Sequence, residues 1–175
     1  GAGFAPGLSC LLVRHAASEF DDIEEVHVSK YGTGGPACAR VHHDSLGGAA
    51  VDWRDGAWVR RRGGSERELV WFPDPVCAQD CYRAALPDAL LLAPVLSGVQ
   101  RVTARVAATR RDRLTGRLPM LRRPHPEGTV GAVRVEVRGQ RGQARDARVL
   151  GAIDRPAIAA GTLAAVAAVA AGTGA

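Results

Sequence analysis

The segment Ala132–Ile153 restricts the fold of this chain more than any other. Ala132–Arg138 alternates Val133, Val135 and Val137 with Arg134, Glu136 and Arg138. That period suits an extended chain, which would place the valines on one face and the charges on the other. Gly139–Gln143 supplies a loop, and Ala144–Ile153 runs back. The result is an antiparallel hairpin with one face for a core and one for water. The rest of the chain has to cover the valines.

A chain of 175 residues with 46% hydrophobic but only 5% aromatic content can do so within one domain, using Val, Leu and Ala. Of its 23 basic residues all but Lys30 are arginine, and the net charge is a modest +5. The arginines are dispersed. The densest run, Arg60-Arg61-Arg62, adjoins Gly63-Gly64 and reads as a solvated hairpin tip rather than a phosphate-binding stripe. Trp53 and Trp58 flank the turn Asp55-Gly56 and are expected to pair across it; stacking on bases is the alternative. No nucleic-acid partner is expected. Cys10, Cys38, Cys77 and Cys81 contain no pair of CxxC units, so no zinc site is expected and four reduced thiols in a cytoplasmic protein are. His42 and His43 are adjacent and cannot share a helix face as two metal ligands. Pro156–Ala171, short for a membrane span and interrupted by Gly161 and Thr162, reads as a packed Ala-rich helix, with no membrane partner.

In chain order, helices are predicted over 8–18, 37–45, 110–118 (within a basic amphipathic stretch, 110–121) and 156–171, with a helical turn at Pro87–Leu92. Strands are predicted at 26–31, 49–54, 57–61, 68–72, 80–84, 99–109, 132–138 and 144–153. Together these give an α+β fold, a mostly antiparallel mixed sheet of five to seven strands packed with three or four helices. Val26–Pro36 joins a strand to Gly32, Gly34 and Gly35 and then to Pro36, a good first helical residue. A glycine loop feeding a helix start presents free N–H groups to an anion, although such a loop can also serve only to turn the chain. The opening Gly1, Gly3 and Gly7 are not a dinucleotide fingerprint: no strand precedes them, the spacing is wrong, and Asp21-Asp22 precede a strand instead of ending one. No Ser/His/Asp, Cys/His or paired-carboxylate arrangement identifies a catalytic residue.

Four pieces in order resemble the saccharopine dehydrogenase family of NAD(P)-dependent oxidoreductases: Gly-Phe-Ala-Pro-Gly-Leu at 3–8, Tyr-Gly-Thr-Gly-Gly-Pro at 31–36, Asp-Gly-Ala-Trp-Val at 55–59 followed by Val-Trp-Phe-Pro-Asp-Pro at 70–75, and Ala-Ile-Ala-Ala-Gly-Thr-Leu-Ala-Ala at 157–165. The family's amino-terminal nucleotide-binding domain has no counterpart in these residues. The resemblance therefore implies that 1–175 form a single substrate-binding and dimerisation domain, with 1–20 as the hinge loop and helix leaving the missing domain. It implies NAD(P) in the parent protein, none bound by this chain alone, and a small amino acid or imine substrate. Gly34, Gly35, Pro36, Arg40 and Arg105 are the implied substrate-binding residues, the arginines for a carboxylate. Gly3, Pro6 and Gly7, where the family's chain leaves the cofactor domain, are the implied cofactor-binding residues of the parent protein. A homodimer is expected, packed through the bare face of the Ala132–Ile153 sheet. A non-catalytic dimerisation or interaction module is the other reading.

Overall fold

The computed structural model describes residues 3–120 and 123–174. The expectations that touch Gly1, Leu121 and Arg122 lie outside the described residues. The elements follow in the order α1 (Leu8–Ala17), β1 (Asp22–Tyr31), α2 (Pro36–Gly47), β2 (Ala49–Arg54), β3 (Ala57–Arg62), β4 (Glu68–Trp71), β5 (Ala78–Arg83), α3 (Asp88–Leu92), β6 (Arg101–Ala107), α4 (Arg110–Thr115), β7 (Gly131–Arg141), β8 (Ala144–Asp154) and α5 (Pro156–Thr173). The fold is α+β, and every predicted strand joins one sheet, giving eight strands instead of five to seven.

The sheet order is β3-β2-β6-β1-β7-β8, with β4 added through β5. β6 is its crossroads. One edge pairs with β1, the only parallel pair among the named strands, from Glu25↔Arg101 to Lys30↔Val106. The other edge takes β2 near its start, at Trp53↔Val102, and β5 near its end, at Tyr82↔Val106. The hairpin β7–β8 continues without a break from Gly131↔Asp154 to Arg141↔Ala144. Trp53 and Trp58 do meet across β2–β3, edge to face at 4.9 Å.

Pleat parity sorts the side chains. Val26 and Val28, Val102, and Val133, Val135 and Val137 are fully buried in one cluster with Val13 and Ala16 of α1 and Ala89 and Leu92 of α3. Each such valine withdraws enough apolar surface to contribute about 1.5–3 kcal/mol. The opposite face is mixed: at one end Ala107 and Ala132 pack with Val70, Phe72 and Cys81, and elsewhere it is polar and tied by ions. Glu25 meets His27, Arg101 and Arg138, while Glu136 holds both Arg134 and Arg138. The bare apolar face invoked for a dimer is therefore not there: helices of the same chain cover the valines, and arginine–glutamate pairs occupy the other side.

A second correction concerns α5. It is not packed. Of its 18 residues only Pro156 and Ala159 are buried, and Ile158, Val166 and Val169 are more than half exposed. The reason lies in its composition. A helix apolar on every side has no single face to direct into a core, and α1 and α3 already occupy the apolar face of the sheet. By length and composition α5 would suffice to cross a membrane. The helix predicted over 110–118 ends at Thr115, just before Gly116.

Candidate functional site

β1 delivers Lys30 and Tyr31 to the glycine loop, and α2 starts on its far side. Gly35 caps α2 with φ 113°, a region L residues avoid, and Pro36 follows as its first residue. No side chain caps this helix, and the amides of Ala37 and Cys38 have no acceptor among the described residues. α5 begins nearby in the same manner, with Pro156 first and no capping side chain. Gly34 lies between the two helix starts: a Cβ there would stand 3.0 Å from the Ala157 amide nitrogen and 3.3 Å from Pro156 Cβ. The loop is held from outside by Thr129, whose hydroxyl accepts the Thr33 N–H at 3.1 Å and whose own N–H reaches the Thr33 carbonyl at 2.8 Å.

These pieces line a half-open pocket of about 230 Å³, with Gly3, Lys30, Gly34, Cys38 and Ala157 around it and Phe4 at one wall. Lys30 is only 6% exposed. Its side chain makes no ion pair and no hydrogen bond to any described residue. Asp88 of α3, a carboxylate on which the Lys30 charge acts, lies beyond ion-pair distance and accepts a hydrogen bond from the Ser9 hydroxyl at 2.5 Å. Burial pushes the Asp88 carboxyl up, toward its neutral form, and so weakens it as a counter-charge. The cavity thus holds one cationic group under two helix starts whose partial charges are also positive.

Two residues expected on separate grounds meet here. Gly3 and Gly34 line the same cavity. Gly35 and Pro36 build the start of α2 behind it. Pro6 and Gly7 do not line it; they shape the turn that does, through the Gly3 N–H to Pro6 carbonyl bond at 2.9 Å and a Gly3–Gly7 bridge. Arg40 lies further along α2 and is exposed. Arg105 is on the opposite face of the sheet, because it pairs in register with Ser29 and not with Lys30. Its guanidinium is bound by Glu68 at 2.8 Å and donates to the Thr103 hydroxyl at 3.0 Å. It belongs to a buried ionic cluster with Arg83, whose Nη1 lies 2.6 Å from Asp52. Neither arginine is brought to the cavity. Lys30 is the residue that sequence reasoning missed. Its signal was present: the one lysine of the chain, at the end of an apolar strand face and two residues before the glycines.

A second, wider cavity of about 460 Å³ lies between α2, α4 and the segment after it, lined by His42, His43, Asp112, Met120, Arg123 and His125 among others. His43 Nε2 is 2.9 Å from the Leu118 carbonyl, whereas the buried Nδ1 of His42 has no partner. Among the described residues no three His, Cys, Asp or Glu side chains are grouped to hold a metal ion. All four cysteines are free. Cys81 is fully buried and its thiol is pushed up to about 12 by that burial, so it is no nucleophile at neutral pH.

No family model matches the chain, and no curated protein does. Among solved structures the fold is similar to that of apo saccharopine dehydrogenase (L-Glu forming) from Saccharomyces cerevisiae, with a TM-score of 0.65 at 13% identity. The similarity covers 98% of this chain but only 64% of that one.

Proposed function

We propose that this chain is the substrate-binding domain of a saccharopine dehydrogenase-like oxidoreductase, acting on an amino acid or imine type of small molecule. The observation that carries this reading is the fold likeness, which runs through nearly the whole chain and leaves over a third of the dehydrogenase unmatched. NAD(P) would be bound by a separate nucleotide-binding domain of the parent protein, and the cavity at Lys30 and Gly34 would receive part of the substrate. On this reading the protein is a cytoplasmic homodimer and residues 1–175 alone do not turn over.

Calorimetry on the isolated chain tests the division of labour. Amino acids or N-substituted amino acids are expected to bind, and NADH and NADPH are not. Micromolar binding of either nicotinamide would overturn the reading. One observation favours the alternative of a non-catalytic interaction module: the exposed apolar surface of α5. In that case neither class of ligand binds.

A further inference from the structure

We propose that the Lys30 cavity is a seat for a single small oxyanion, a carboxylate or a phosphate group. The inference rests on the substrate-binding reading only for the identity of its natural occupant. Lys30 as a residue is 94% buried, and its side chain lines the pocket with no carboxylate within ion-pair distance among the described residues, so its ammonium is free to take an anion there. The surroundings supply the rest of the recognition. The unpaired amides of Ala37 and Cys38 stand at the start of α2, a helix of 12 residues. The Ala157 amide, also without an acceptor among the described residues, stands at the start of α5. Gly34 leaves open the space that a side chain would take between them.

Size decides which part of a ligand fits. About 230 Å³ is below the ~300–1,000 Å³ that drug-sized ligands occupy. The cavity holds an ionic group and a short stem, and it is too small for a dinucleotide. Asp88, Ser9 and His42 are the polar groups that feel Lys30 or support its neighbours from α3, α1 and α2. None of them neutralises it at contact distance.

The test uses the 175-residue chain and two probes, inorganic phosphate and succinate, at an ionic strength held constant with potassium chloride. At a hundredfold excess over Kd, the bound anion is expected to raise the melting midpoint by roughly 5–10 °C. Lys30→Met is expected to abolish the rise. In the unmodified chain, the anion should slow iodoacetamide alkylation of Cys38 several-fold, with Cys77, which is exposed, as the unaffected internal reference. A response to phosphate alone or to succinate alone supports the seat and tells which source it serves. An equal rise in Lys30→Met, or neither a rise nor protection of Cys38, overturns it. If Lys30→Met does not fold, the protection of Cys38 in the unmodified chain decides alone. Neither probe needs a nicotinamide, so the seat can stand if the oxidoreductase reading falls, and fall if that reading stands.

Discussion

His42 shows how one side chain couples this fold to pH. Its ring is held down to about 4 from an ordinary 6.5, first by burial, then by the nearby charge of Lys30, with Asp112 acting the other way. The folded state therefore keeps the ring neutral where the unfolded chain has already taken a proton. Stability linked to His42 is complete above pH 6.5 and is lost as the pH falls toward 4. At pH 4.5 that loss is about 2.5 kcal/mol relative to neutral pH. Urea unfolding of His42→Gln at the two pH values should show a drop smaller than that of the unmodified chain by about this amount. Whether a residue meets the cavity was only partly legible in the sequence. Strand parity separates Lys30 from Ser29 and so, through the register, from Arg105. That register depends on which strand pairs with β1, and no local pattern states it. Arg105 was chosen for its charge, and its charge is already matched by Glu68.

At the scale of elements, the local signals were read most completely where a turn or a cap fixes the ends. Asp55-Gly56 set the β2–β3 hairpin, and the alternating valines set β7. The short helix α4 has such a cap, which sequence reasoning did not use. Thr109 caps it by accepting the Asp112 N–H at 3.2 Å, and the Asp112 carboxylate accepts the Thr109 N–H at 2.9 Å in return. A helix of six residues with no buried side chain depends heavily on such a box. Thr109→Ala should cost about 1 kcal/mol, measured by chemical denaturation, and should speed amide exchange in Arg110–Thr115 before the rest of the chain opens. The helix α5 was found but misjudged in its packing. Helix formation follows from Ala-rich local propensity, whereas packing needs a face, and this segment has none.

At the scale of the molecule, the single parallel pairing of β1 with β6 makes the fold. It brings residues some 76 positions apart in sequence into register, as in His27↔Thr103, so it was not visible to any window along the chain. Its consequence for assembly is that β1, β6 and β7 are covered within one chain, while β8, exposed from Ala144 to Val149, and the helix α5 lie open, α5 being the longer uncharged surface. The helix is about 27 Å long and carries no charged side chain from Pro156 to Thr173, so a charged partner gains nothing there while a second copy of the same helix does. We expect the chain to sediment as a dimer at micromolar concentration and to become a monomer when truncated after Ala160, which keeps the buried Pro156 and Ala159. A monomer mass for the untruncated chain, unchanged on dilution, would remove α5 as the contact.

The isolation of Lys30 has a consequence for the surface of the protein. Apart from five histidines, every other basic side chain in residues 1–175 is an arginine, and the one primary amine among the side chains belongs to a largely buried residue that lines the pocket. Outside that pocket, residues 1–175 therefore offer no lysine to acylating reagents, amine-directed cross-linkers, acetyltransferases or ubiquitin ligases. An acyl group found on Lys30 would record that the seat had stood vacant.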